Sequence, residues 1–341
     1  MAATPLRSKV HALRRPGCYA GAVARVEAVE THMSWVFLTE AHAYKMKKPV
    51  RHDGMDFTTL AKRHFYCDEE LRLNRRLAPD VYLDVVPLTL ERSGGLHVAG
   101  AGRAVEWLVK MRRLPAAQML DALLARGAAT PAMMQAVGRR LGAFHRAQPG
   151  VEDGAALLRA SLARRIGQAG RELAEFVGNP AQVRALCEAL RAALDHFAPA
   201  MDERGRAGRI VEGHGDLRPE HVFCGEPLAI IDCLEFSREL RTLDAADEAG
   251  FLALECERAG APALGAALLQ AWRASAGDDV APPLVDFYVA VQALVRARLA
   301  AAHLRERRYR ASPIWLRRTA DYLALAQAHL GACGLSLPAT P

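Results

Sequence analysis

Short apolar runs fill the first third of the chain, and helical periods fill most of the rest. Val23-Ala24-Arg25-Val26 and Trp35-Val36-Phe37-Leu38 read as strands, separated by Glu30-Thr31-His32-Met33-Ser34. A turn at Glu40-Ala41-His42 precedes a third run, Ala43-Tyr44-Lys45-Met46-Lys47. Alternation along a strand places Ala43, Lys45 and Lys47 on one face, and Tyr44 and Met46 on the other. A helix is predicted over about 58–77, ended by Pro79. Strand patterns follow at 81–90, 96–98 and 105–111, and Arg112-Arg113-Leu114-Pro115 breaks the last. Residues 1–20 read as a lead-in.

From Gln118 the pattern turns helical. Met119-Leu120-x-x-Leu123-Leu124 opens one helix and 131–145 forms another. Residues 155–200 read as amphipathic helix divided at Gly178-Asn179-Pro180. Later helices are predicted from about 247 to 257 and over 262–275, 283–306 and 313–331, before a loose tail at 334–341. Arg296 and Arg298, two apart, do not share a helix face. One stretch interrupts this run of helices. His214-Gly215-Asp216-Leu217-Arg218-Pro219-Glu220-His221 leads into the apolar Val222-Phe223-Cys224, a turn at Gly225-Glu226-Pro227, and a return through Leu228-Ala229-Ile230-Ile231 to Asp232. That punctuation predicts a tight hairpin with polar groups at one end.

Composition narrows the class. The 341 residues exceed the usual size of a single core, so one large or two modest domains are expected. Aromatic residues are only 6% of the chain, and abundant Ala, Leu and Arg favour helix. No apolar run of membrane-spanning length occurs. The basic start lacks the apolar core of a secretory signal. Seven cysteines lie scattered without Cys-x-x-Cys pairs, which argues against zinc and a disulfide framework and fits a reducing cytoplasm. The net charge of +7 could attract nucleic acid, anionic lipid or nucleotide phosphates. No named nucleic-acid module is present, and the basic residues of 305–318 alternate with Leu, Trp and Tyr as on a solvated helix face. Nucleic acid is therefore not the expected partner. No Gly-x-x-x-x-Gly-Lys-Ser/Thr occurs.

The chemistry concentrates at 214–232. Asp216 and Asp232 are expected at neighbouring strand ends, where two carboxylates suit a hard divalent cation such as Mg²⁺. One of them could instead take a proton from a hydroxyl nucleophile. A surface hairpin whose Asp residues only make turns would not explain the unbroken apolar run before Asp232.

This stretch resembles the catalytic and metal-binding loops of aminoglycoside phosphotransferase-like kinases: His-Gly-Asp, four spacers, Asn, then a hydrophobic strand ending in Ile-Asp. His214, Gly215, Asp216 and Asp232 meet the pattern, and His221 stands where it has Asn. Thr31–Leu38 and Asn74–Asp80 are also similar to an uncharacterised branch whose members are often fused to a P-loop ATPase; the likeness spans about 20–330, and the chain looks like their kinase-like portion standing alone. The resemblance implies an α+β, two-lobed protein-kinase-like fold. Residues 1–112 would form a small antiparallel-sheet, nucleotide-binding lobe and 113–341 a mostly helical lobe carrying the catalytic and metal loops, with ATP between them.

The same resemblance assigns roles. Lys45 is the first candidate for the phosphate-binding lysine and Lys47 the second, braced by Glu70 in preference to Glu69. No glycine-rich loop joins the first two strands, so Thr31, His32 and Ser34 occupy that turn, with Ser34 a candidate nucleotide contact. Asp216 would be the catalytic base, with His214 in the same loop. Asp232 would hold Mg²⁺, and His221 falls at the second metal position. His145 would support the catalytic loop. Asp247 would brace that loop from the next helix, with Asp244 as its N-cap alternative. The acceptor would be a small hydroxylated molecule. The competing reading is a non-catalytic, pseudokinase-like nucleotide-binding module, because imidazole is a poorer ligand for a hard metal than an amide oxygen.

Overall fold

A computed structural model of the chain describes residues 4–52, 55–307, 309–310 and 312–334, so the tail expected to be loose lies, but for Gly334, outside the described residues. The chain divides into two compact units, Met1–Met119 with His221–Ser237, and Leu120–Glu220 with Arg238–Pro341.

The first unit opens with helix α1 (Leu6–Leu13), where the sequence suggested only a lead-in. A buried ion cluster anchors it. Lys9 Nζ lies 2.7 Å from Glu106 Oε2, and Arg63 grips both oxygens of Glu106 at 2.8 Å. Strand β1 is Glu27–Glu30, not the apolar run at 23–26. The backbone N–H groups of Ala24 and Arg25 instead donate to the Glu40 carboxylate, which takes them out of any strand ladder. β2 (Ser34–Leu38) and β3 (His42–Lys47) follow as expected, then the short pair β4 (Arg51–His52) and β5 (Met55–Asp56). Helix α2 (Leu60–Asn74) starts at Thr59, whose side chain accepts the Lys62 N–H. β6 (Tyr82–Leu90), β7 (Leu96–Val98) and β8 (Arg103–Arg112) complete a six-stranded sheet ordered β1-β2-β3-β8-β6-β7, with every pairing antiparallel.

The alternation read for β3 holds. Tyr44 and Met46 enter one core with Leu13, Phe37 and Leu108, while Ala43 joins Cys67, Tyr82 and Val109 in another. Both faces of the sheet are thus covered, and Lys45 and Lys47 project on the Ala43 side. The expected hairpin also forms, with Val222–Phe223 paired antiparallel to Ala229–Ile230 and Phe223 and Ala229 buried in the second core.

The second unit is helical: α3 (Leu120–Ala125), α4 (Pro131–Ala147), α5 (Gly154–Leu173), α6 (Pro180–Arg206), α7 (Arg238–Arg241), α8 (Ala245–Arg258), α9 (Pro262–Ala276), α10 (Pro282–Ala302) and α11 (Pro313–Ala332). The break at Gly178-Asn179-Pro180 separates α5 from α6, and Asn179 caps α6 by accepting the Gln182 N–H. A two-stranded ladder pairs Ile210–Glu212 with Thr242–Asp244. Helices α4 and α9 meet backbone to backbone: a Cβ on Gly142 would lie 2.7 Å from the Trp272 carbonyl oxygen. The architecture is α+β, as expected. Among the described residues no helix is long and apolar enough to cross a membrane.

Candidate functional site

In the sheet-bearing unit, β3 carries two lysines into a group of carboxylates. Glu70 of α2 is fully buried, with Lys45 Nζ 2.8 Å from Oε1 and Lys47 Nζ 2.6 Å from Oε2. Lys45 also reaches Asp232 Oδ1 at 2.6 Å, and Lys47 bonds to Glu235. Burial opposes the charges of Lys45, Lys47 and Glu70, yet the three hold one another ionised. Despite desolvation, Asp232 and Glu70 raise Lys45 well above the usual lysine range, and Glu235 and Glu70 raise Lys47. Lys45 and Lys47 in turn hold the buried Glu70 below the usual carboxylate range.

Asp232 ends the hairpin's return strand with φ +62°, a left-handed conformation that Asp tolerates better than most side chains. Two bonds fix the turn. The Asp232 N–H donates to the Tyr82 hydroxyl at 3.0 Å, and the Cys233 N–H to Asn74 Oδ1 at 2.8 Å. Asn74 Nδ2 donates in turn to the Glu70 carbonyl at 2.8 Å, so one buried amide ties α2 to this turn. His221 is buried, with Nε2 3.5 Å from Asp232 Oδ2. Asp232 itself is 42% exposed and offers carboxylate oxygen, which fits a hard cation completing its shell with water and phosphate oxygens. Ser34 is also in this unit but buried on β2, where its N–H donates to the Thr31 hydroxyl at 3.0 Å. The structure therefore gathers Lys45, Lys47, Glu70, Asp232 and His221 in one unit, and places Ser34 at the turn that opens β2.

The helical unit holds His214 and Asp216. Gly215 takes φ +85°, which a side chain would strain. His214 is fully buried, and its Nδ1 accepts the Asp216 N–H at 3.3 Å. Arg218 Nε lies 3.1 Å from the Asp216 carboxylate. The brace behind this loop is Glu248, which sequence reasoning missed. It accepts the N–H of His214 at 2.9 Å and of Gly215 at 2.7 Å, and pairs with His145 Nε2 at 2.9 Å. Trp272 Nε1, a donor only, meets His145 Nδ1 at 3.0 Å. His145 must then carry its hydrogen on Nε2 and donate it to Glu248, so it supports the loop through that carboxylate. Burial pushes Glu248 up, but the bond from His145 and the neighbouring His214 outweigh it and bring the group down to about 2.

Asp247 does not have the bracing part expected of it. It faces Gln292, whose Nε2 donates at 2.8 Å, and burial pushes it up to about 6. Asp244 is the N-cap of α8 and also binds Arg204. The signal available for Glu248 was its place one turn after that cap. Asn74 lies in a stretch that carried the resemblance but was given no role there, and Tyr82 and Glu235 were missed because nothing in their local pattern marks them.

No family model matches the chain. An uncharacterized protein of Mycobacterium tuberculosis is 33% identical over 292 residues, which cover 80% of this chain and 54% of that protein. The chain thus spans about half the length of the curated relatives it matches. Among solved structures, a choline/ethanolamine kinase family protein from Mesorhizobium loti superposes with a TM-score of 0.53 at 16% identity, covering 96% of this chain and 98% of that one. A thermostable mutant of an aminoglycoside phosphotransferase gives 0.55 at 11%, covering 93% and 97%. An AMP-bound spectinomycin phosphotransferase gives 0.52 at 13%, covering 95% and 99%. The chain has the protein-kinase-like fold of these phosphotransferases. Lys45 lies on the third strand of the sheet and Glu70 on the helix that follows.

Proposed function

We propose that the protein is an ATP-dependent phosphotransferase that moves the γ-phosphate to a hydroxyl of a small acceptor. The observation that carries this reading is the Lys45–Glu70 pair beside Asp232, built on a kinase-like fold. Lys45 would exchange its bond to Asp232 for the nucleotide phosphates. Asp232 would hold Mg²⁺, which when bound supplies charge neutralisation at those phosphates. Asp216, oriented by Arg218 and by the loop that His214 and Glu248 hold, would take the proton as the acceptor oxygen bonds to phosphorus and ADP leaves. Positioning and electrostatics supply most of the rate enhancement in such chemistry.

A saturating nucleotide stabilises its protein by about 2.7 kcal/mol at one hundred times its Kd. Mg²⁺·ATP should therefore raise the unfolding temperature, Asp232→Ala should abolish that rise, and Asp216→Ala should keep it while stopping transfer to a panel of sugars, amino alcohols and aminoglycosides. No response to any nucleotide would sink the reading. The 3.5 Å approach of His221 to Asp232 favours a second reading, a nucleotide-binding module without transfer. ATP binding that is indifferent to Mg²⁺, with no acceptor phosphorylated, would support it.

A further inference from the structure

Two lysines of β3 share Glu70, and they differ in exposure and in their second partner. The Lys45 side chain is 16% exposed and pairs with Asp232, which is 42% exposed. The Lys47 side chain is 1% exposed and pairs with Glu235, which is 9% exposed. Lys47 also lies under the Phe57 ring, 5.1 Å from its centroid. The cluster thus has an open end, Lys45 and Asp232, and a closed end, Lys47 and Glu235, with Glu70 joining them.

This inference rests on the nucleotide reading above. Binding Mg²⁺·ATP requires Asp232 to let go of Lys45 and Lys45 to turn toward phosphate. Lys45 keeps its bond to Glu70 in that exchange, but the turn at Asp232 loses its Lys45 tie to β3. We propose that Lys47 and Glu235 form a positioning pair. Lys47 stays on Glu70 throughout, keeping it neutralised, and its bond to Glu235 keeps the turn after Asp232 tied to β3. Lys45 and Asp232 are then the exchangeable members, and Lys47 contacts no phosphate.

The experiment measures the Mg²⁺ concentration that gives half of the ATP-induced rise in unfolding temperature, on the full chain. Lys47→Met and Glu235→Gln should each raise that midpoint about tenfold, and the double variant should be no worse than the poorer single, because coupled residues are not additive. Lys47→Arg, which keeps the charge, should recover most of the loss. Glu235→Gln leaves the Lys47–Glu70 pair in place, so it tests the idea even where Lys47→Met does not fold. Midpoints matching wild type in either single variant, or losses that add in the double, would overturn the positioning pair while leaving the nucleotide reading intact. A wild type that shows no ATP response overturns both.

Discussion

Glu248→Gln tests the brace behind the His-Gly-Asp loop. The substitution preserves shape and removes a buried charge that accepts two backbone N–H groups and one imidazole N–H. Hydrogen bonds to charged groups contribute about 1.5–3 kcal/mol each. A glutamine keeps one oxygen but turns an NH₂ toward one of these donors, so a loss of about 3 kcal/mol is expected. Linkage gives a similar figure. Glu248 falls from 4.5 to about 2 on folding, and each unit corresponds to about 1.4 kcal/mol, so its ionised form contributes about 3 kcal/mol. The folded value is depressed, so that stability is present above pH 4.5 and is lost as pH falls through 2. Urea unfolding followed by tryptophan fluorescence suits the test, because Trp272 sits in the same network. The variant should trail wild type by about 3 kcal/mol at pH 7, with the gap closing between pH 5 and pH 2. Amide exchange at His214 and Gly215 should also quicken. A variant within 1 kcal/mol of wild type at pH 7, or a gap as wide at pH 3 as at pH 7, would refute the reasoning.

Neighbouring Asp247 should behave in the opposite way. Its folded value is raised from 3.8 to about 6 by burial, so its stability is present below pH 3.8 and lost as pH rises through 6; Asp247→Asn should gain about 3 kcal/mol at pH 8 and almost nothing at pH 4, and a variant weaker than wild type at pH 8 in urea unfolding would count against the assignment. Asn74→Ala leaves the Cys233 N–H without its partner and unties α2 from the Asp232 turn, with an expected cost of about 2 kcal/mol in thermal unfolding and faster amide exchange at Cys233; unchanged exchange there would contradict the tie. Gly142→Ala should destabilise by about 2 kcal/mol or more although alanine favours helix by about 1 kcal/mol, because its Cβ would meet the Trp272 carbonyl and the Ala276 nitrogen; a higher melting temperature would show that α4 and α9 can separate at little cost.

What could be read from the chain was local. The period-2 alternation of 43–47 set which way Lys45 and Lys47 point, since neighbouring strand residues must face opposite sides. The apolar run before Asp232 and the Gly-Glu-Pro turn gave the hairpin, and Gly178-Asn179-Pro180 gave the helix break, because proline fixes φ and glycine admits turn conformations that other residues avoid. The first strand failed at 23–26 because apolar content says nothing about whether Glu40 will take the backbone N–H groups. The lead-in became α1 because Lys9 finds Glu106, 97 residues away. Tertiary structure alone chose Glu248 over Asp247, since adjacent helical positions differ by about 100° and only packing decides which one faces the loop. It also chose the partners of the two lysines. Their face follows from strand geometry, but burial and distant carboxylates separate an open Lys45–Asp232 end from a closed Lys47–Glu235 end.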